Sequence, residues 1–161
     1  MIQFVRIDHR LLHGQVLYSW LKSIVCDTIL IANDSVAVSE SKKNGLRLAK
    51  PANKKLVMKS IDDSIHVIQS GLTDKYHLFI VVESVHDAYR LVKGVSGITS
   101  INLGGTLATS KSRPVFSQIN LDEHDIKELK EIAESGVEIE YRLVPGDTKV
   151  NVNKRLEDMK E

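Results

Sequence analysis

The sequence holds a single cysteine, Cys26, in 161 residues, so no disulfide can form within the chain and a four-cysteine zinc site is excluded. That usage fits a reducing compartment. Aromatic residues make up only 5%, few for a platform that stacks single-stranded bases. Neither sign of charge is in excess, with 22 Lys+Arg against 21 Asp+Glu and a formal net charge of +1. Proteins that bind polyanions concentrate Lys and Arg, so nucleic acid is not an expected partner. No apolar run approaches the ~20 residues needed to span a bilayer. The opening stretch, Met1-Ile2-Gln3-Phe4-Val5-Arg6, lacks the basic lead and long apolar core of a signal peptide. Direct membrane insertion is therefore not expected, and any membrane role would run through a partner. Three motifs are missing as well: the G-x-x-x-x-G-K-[ST] P-loop, the G-x-G-x-x-G dinucleotide fingerprint and the G-x-S-x-G nucleophile elbow. Direct use of ATP, NAD or an acyl-serine thus loses its usual support.

What is present is an ordinary globular composition, 42% hydrophobic and 27% charged, on a length that fits one domain over residues 1–161. Seven β-rich runs alternate with stretches of helical period: Ile2 to Ile7, Thr28 to Asn33, Lys55 to Lys59, Leu78 to Glu83, Ile98 to Leu103, Val115 to Ile119 and Val137 to Leu143. This pattern predicts an α/β fold, an open and mainly parallel sheet of about seven strands with helices on both faces and room for an antiparallel edge strand. Thr28-Ile29-Leu30-Ile31-Ala32 and Leu78-Phe79-Ile80-Val81-Val82 are apolar without alternation, as central strands are. Val137-Glu138-Ile139-Glu140-Tyr141-Arg142 alternates, which predicts one wet face and a place nearer an edge.

Val16, Leu17, Trp20, Leu21 and Ile24 form the apolar stripe of a first helix. A second is predicted over Ser35 to Ala49, capped by Asp34 or Ser35 and ended by Pro51. Others are expected over Ile61 to Gln69, Val85 to Val92 and Glu123 to Glu134, the last capped by Asp122 and stopped by Gly136. The tail after Gly146, through Glu161, reads as a short docked helix or a frayed end.

Ligands of open α/β sheets bind beyond the carboxyl ends of the strands, which singles out three segments. Asp8-His9-Arg10-Leu11-Leu12-His13-Gly14-Gln15 combines an imidazole, a guanidinium, a carboxylate and a helix start. An imidazole is partly unprotonated near neutral pH and can attack as a nucleophile. A phosphoryl group in transfer carries spread negative charge, which Arg10 and helix N-terminal amides at Gly14 and Gln15 can stabilise. Asp8 can hold one imidazole nitrogen so that the other attacks. The constellation suits a phosphohistidine intermediate on His13.

Blander readings stand beside each segment. A lone loop histidine is more often structural, and Arg10 with Asp8 is equally a surface ion pair. His9 and His13 have a metal-capable spacing, but Arg6 and Arg10 would set two positive charges beside the ion, so no metal is assigned. Gly104-Gly105 reads either as a tight turn or as a close approach to a phosphate or imidazole. Asn33-Asp34-Ser35 and Ser84 read as helix caps. His66, His77, His86 and His124 have no convergent partners in sequence and are taken as surface or core residues. Lys42, Lys43, Lys54 and Lys55 read first as solvated lysines, with docking of acidic surfaces as the alternative.

The run Arg6-Ile7-Asp8-His9-Arg10-Leu11-Leu12-His13-Gly14-Gln15-Val16 resembles the N-terminal signature of the enzyme IIB subunits of the bacterial sugar phosphotransferase system, in the mannose/fructose/sorbose family. Ala32-Asn33-Asp34, Ile101-Asn102-Leu103-Gly104-Gly105 and Val144-Pro145-Gly146-Asp147 continue the resemblance in order. It implies that His13 accepts a phosphoryl group from a phosphorylated IIA protein or domain and passes it to a sugar translocated by membrane subunits IIC and IID. It further implies a cytoplasmic protein held at the membrane only through IIC and IID, with no metal or organic cofactor. Arg10 then corresponds to the phosphate-stabilising arginine and Asp8 to the orienting acid, while Gly14, Gln15, Gly104 and Gly105 fall where phosphate is bound. The chain departs from the pattern at His9, where members commonly carry a second Asp. Two rival readings from the residues alone are a non-catalytic phosphate-binding or regulatory module and a stand-alone enzyme acting on a small phosphorylated metabolite.

Overall fold

The computed structural model describes residues 1–160. In chain order its elements are β1 (Ile2–Asp8), α1 (Gly14–Ser23), β2 (Thr28–Ala32), α2 (Asp34–Ala37), α3 (Glu40–Ala49), β3 (Lys55–Lys59), α4 (Ile61–Gln69), β4 (Leu78–Val82), α5 (Val85–Gly94), β5 (Ser100–Gly105), β6 (Arg113–Phe116), β7 (Ile119–Leu121), α6 (Glu123–Glu134), β8 (Glu138–Tyr141), β9 (Val150–Asn151) and α7 (Val152–Leu156). Seven strands form one sheet in the order β3-β2-β4-β1-β5-β8-β9, parallel except where the edge strand β9 runs against β8. The α/β architecture with an antiparallel edge is the expected one. All five residues of β2 and of β4 are buried, as strands covered on both faces require.

Alternation along β1 assigns its side chains to two cores. Val5 and Ile7 face α4, α5, α6 and α7, with Leu91, Ile126, Leu129 and Leu156 packed against them. Phe4 faces α1, where it stacks on Trp20 with ring centroids 4.8 Å apart. On that second face lie α1, α2 and α3, with Leu17, Leu21, Val36 and Leu46 as their apolar contribution. The connection after β1 leaves toward the α1 face, whereas those after its neighbours β4 and β5 leave toward the α5 and α6 face. The carboxyl end of β1 is therefore the switch point of the topology, where open α/β sheets bind their ligands.

Four local expectations are corrected. Ser35 to Ala49 is two helices, because the Ser39 side chain accepts the Lys42 N–H at 3.2 Å and starts α3 afresh. Asn33, neither Asp34 nor Ser35, caps α2 by accepting the Val36 N–H at 2.9 Å. Val115 to Ile119 spans the end of β6, a turn at Ser117 and Gln118 and the start of β7, with Gln118 in the left-handed region at φ 65°; this hairpin is separate, so the seventh strand of the main sheet is β9. The run begun at Ile98 forms a strand only from Ser100 and continues to Gly105, which makes Gly104-Gly105 part of β5 and no turn. Asp122 does cap α6, in a capping box with Asp125. The tail docks through buried Val152 and Leu156 of α7; Glu161 lies outside the described residues.

Candidate active site

Asp8 ends β1 with its side chain 1% exposed and both oxygens engaged. Its Oδ1 accepts the Arg10 N–H at 3.0 Å, closing the loop that follows. Oδ2 accepts from Arg6 Nη2 at 3.2 Å and Nε at 3.3 Å and lies 2.9 Å from His13 Nε2. A carboxylate paired with a guanidinium only accepts, so we assign the proton of the His13 ring to Nε2 and the free lone pair to Nδ1.

The loop His9 to His13 is held from below. The Leu11 N–H donates to the Asp8 carbonyl at 2.9 Å, and Leu11 is in the left-handed region at φ 58°, a costly conformation for a branched side chain. Burial of Leu11 and Leu12 in the α1-face core offsets that cost. His13 is thereby presented as the N-cap residue of α1, and Gly14 follows at φ 47°, a conformation that favours glycine. No side chain caps α1, and its first turn has no acidic residue. The other six helices each have an N-cap side chain that accepts a backbone N–H. The first amides of α1, those of Gly14 and Gln15 included, are thus left for an anion at the positive end of the helix dipole. Arg10 is exposed beside this turn, and its guanidinium makes no hydrogen bond or ion pair among the described residues.

Behind Asp8, a polar row crosses three strands on the α1 face. Arg6 is fully buried; its Nη1 donates to Asn102 Oδ1 at 2.5 Å. Asn102 Nδ2 donates to Glu140 Oε1 at 3.3 Å, and Glu140 is clamped by Arg142 at 2.9 and 3.0 Å. Burial pulls the Arg6 guanidinium below its ordinary pKa, and the opposing charge of Asp8 works against that pull. Trp20 closes the row, with the Arg6 and Arg142 guanidinium carbons 5.8 and 5.0 Å from its ring and its Nε1 donating to the Leu143 carbonyl at 2.9 Å. Glu140, expected on a wet face, is thus buried because this row satisfies it.

Both glycines after Leu103 serve this arrangement. A Cβ on Gly104 would stand 2.1 Å from Arg6 Cζ, so Gly104 makes the space for the guanidinium. A Cβ on Gly105 would meet His9 Nδ1 at 3.3 Å, so the close approach is to the imidazole of His9. The Gly105 carbonyl accepts the His9 N–H at 3.1 Å, while His9 Nδ1 is buried without a hydrogen-bond partner.

A family model described as the PTS system sorbose subfamily IIB component matches residues 2–161. The chain belongs to that family. It is 29% identical over 157 residues to the sorbose-specific EIIB component of Klebsiella pneumoniae, covering 98% of this chain and 96% of that protein. The crystal structure of the IIBSor domain of the Klebsiella sorbose permease superposes with a TM-score of 0.92 at 28% identity, covering 99% and 98% of the two chains. The mannose-specific EIIAB component of Escherichia coli is 30% identical over 152 residues, which cover 94% of this chain and 47% of that longer protein. The IIB chain is therefore a phosphotransferase component of a sugar phosphotransferase family. No helix of its described residues is long and apolar enough to cross a membrane.

Sequence reading brought Asp8, Arg10, His13, Gly14 and Gln15 to one place, and the structure assembles them there. Arg6, counted in the sequence as a positive charge near His13, is the buried partner of Asp8, with Asn102 and Glu140, which the sequence reading missed, behind it. The signal was available: three polar residues at inward positions of strands whose neighbours are apolar. His86 and His124, read as unconnected, both reach Glu128. Asn33 and Ser84 serve as caps, with Ser84 accepting the Asp87 N–H at 3.1 Å. Asp34 instead pairs with Arg90 at 2.8 Å and accepts the Ile61 N–H at 2.9 Å. His66 and His77 are exposed, and Lys54 is tied to the Cys26 carbonyl at 2.6 Å.

Proposed function

We propose that His13 is a phosphoryl carrier that takes its group on Nδ1 from the phosphohistidine of a IIA partner and gives it to a sugar handled by IIC and IID membrane subunits. The observation that carries this reading is the 2.9 Å contact of Asp8 Oδ2 with His13 Nε2, backed by buried Arg6. It leaves Nδ1 as the nucleophilic atom. In the first step the Nδ1 lone pair forms a bond to phosphorus while the donor's P–N bond breaks and its pair returns to the donor ring. The proton stays on Nε2, donated in a hydrogen bond to the Asp8 carboxylate, which stabilises the positive charge that develops on the attacking imidazole. The three equatorial oxygens gather negative charge, and Arg10 with the uncapped amides of α1 oppose it. In the second step a sugar hydroxyl oxygen bonds to phosphorus, the P–Nδ1 pair returns to His13 and the hydroxyl proton passes to water at the sugar site.

The half-buried setting suits a relay. His13 has 19% of its side chain exposed, enough to meet one partner at a time yet anchored on one nitrogen. The protein, a single unit over residues 1–161, works at the cytoplasmic face of the membrane and is held there through IIC and IID. Asp8 orients, Arg10 and the Gly14 and Gln15 amides bind phosphate, and Gly104 and Gly105 keep the space that lets Arg6 and His9 sit beside Asp8. No metal or organic cofactor enters these steps.

The test is incubation of the chain with phosphoenolpyruvate, the general phosphotransferase proteins and a cognate IIA, followed by phosphosite mapping without acid. Acid-labile label on His13, lost in His13→Ala and kept in His9→Ala, is the expected result. Label that survives His13→Ala, or no label with an active IIA, overturns the carrier. Anion binding that persists in His13→Ala but not in Arg10→Ala, with no transfer, would mark a phosphate-binding module instead.

A further inference from the structure

On the face of the sheet opposite α1, helices α5 and α6 pack together through Ala88, Leu91, Ile126 and Leu129. Their first turns carry His86 and His124, and Glu128 lies one turn further along α6. Glu128 is only 3% exposed, an unusual burial for a carboxylate. It meets His86 Nδ1 at 2.8 and 3.1 Å and His124 Nε2 at 3.1 Å. The imidazoles are themselves 57% and 67% exposed, with ring centroids 6.0 Å apart. A buried carboxylate is thus faced by one nitrogen from each of two exposed rings, and an imidazole nitrogen can hold a lone pair for a metal.

We propose that His86, His124 and Glu128 form a binding site for a divalent transition-metal ion of the zinc type. One ligand atom from each of the three lies within 4.8 Å of the others. Ligands of a tetrahedral zinc ion at its usual bond lengths stand about 3.3 Å apart, so modest rotation of two exposed rings closes the site. The donor set of two imidazoles and one carboxylate is the type that favours zinc, cobalt, nickel or copper over magnesium or calcium. Three protein ligands leave the solvent side open for a fourth, a water molecule or a group from another molecule. Binding exchanges an imidazole–carboxylate contact for coordination and keeps the buried charge of Glu128 compensated. The site shares the carboxyl edge of the sheet with His13 but lies on the other face, and it uses no residue of the phosphoryl-transfer site.

Isothermal titration of zinc or cobalt ions into the untagged, chelator-treated chain tests this, alongside melting curves and the cobalt absorption spectrum. One equivalent is expected to bind, with a tetrahedral-type cobalt spectrum and a rise in melting temperature on adding zinc. His86→Ala and His124→Ala, both at exposed positions, should each weaken binding by more than about tenfold. The isosteric Glu128→Gln should do the same, while His13→Ala binds as the unaltered chain does. Melting without metal checks that each variant is folded. Absence of stoichiometric binding, unchanged affinity in the folded His86→Ala/His124→Ala double variant, or loss of binding in His13→Ala overturns the site and leaves two surface histidines paired with a glutamate.

Discussion

Gly104 passes so close to Arg6 that the two could not coexist with any side chain between them: a Cβ at 104 would stand 2.1 Å from Arg6 Cζ. Gly104→Ala should therefore displace the guanidinium and loosen its hold on both Asp8 and Asn102. The expected cost is about 1–3 kcal/mol of folding stability, read as a lower urea midpoint, together with slower phosphoryl acceptance. An unchanged midpoint and rate would mean that Arg6 has space elsewhere.

Asp8→Asn keeps the shape of the side chain and removes its charge. Arg6 then remains buried with only neutral acceptors, Asn102 and the amide oxygen left at position 8, and losing one charge of a buried ion pair costs about 3–5 kcal/mol. His13 also loses the anchor that fixes its tautomer. Labelling from phospho-IIA should fall by at least about tenfold even at temperatures where the variant is folded. Equal labelling rates would remove Asp8 from the mechanism.

The assignment of the Nε2 proton makes a spectroscopic prediction. Nitrogen–proton correlation spectra of the phosphorylated chain should place phosphorus on Nδ1 of His13, with Nε2 still carrying its proton. Phosphorus on Nε2 would require the Asp8 contact to break before transfer.

Acid should act on the pair that ties α2 to α5. The hydrogen bond from Arg90, with the Ile61 N–H beside it, holds the Asp34 carboxyl below the usual carboxylate range. A depressed folded-state pKa stabilises the protein fully above the unfolded value of about 3.9 and is lost as pH falls through the lower folded value. Because Asp34 is 56% exposed, the effect stays under about 1 kcal/mol. The stability gap between the unaltered chain and Asp34→Asn, taken from urea midpoints, should hold steady from pH ~7 to ~5. It should narrow below about pH 4.

Periodicity alone placed β3, α4 and α6 with their observed bounds, because each is a clean run flanked by a cap or a turn residue. It failed where backbone geometry is carried by residues that do not advertise it. Gln118 turns a hairpin with a positive φ that glycine or asparagine would have signalled, and Ser39 restarts a helix inside an unbroken helical composition. In the site, the loop was legible because Asp8, Arg10 and His13 are neighbours in the chain. Arg6, Asn102 and Glu140 stood out as polar residues among apolar strand neighbours, but their contact was not legible, since only strand order brings the three together. The same holds for His86 and Glu128, which are 42 positions apart.

The polar row across β1, β5 and β8 also bears on how the chain reaches this fold. Arg6 pairs in register with Asn102, and Asn102 with Glu140. A slip of β5 by one residue would set Ile101 or Leu103 opposite Arg6 and turn Asn102 into the apolar core against α5 and α6. Such an arrangement strands a buried cation, so it cannot compete with the native pairing. The groups that position His13 thereby proofread the assembly of the sheet, and a chain that misaligns its strands loses stability and chemistry together.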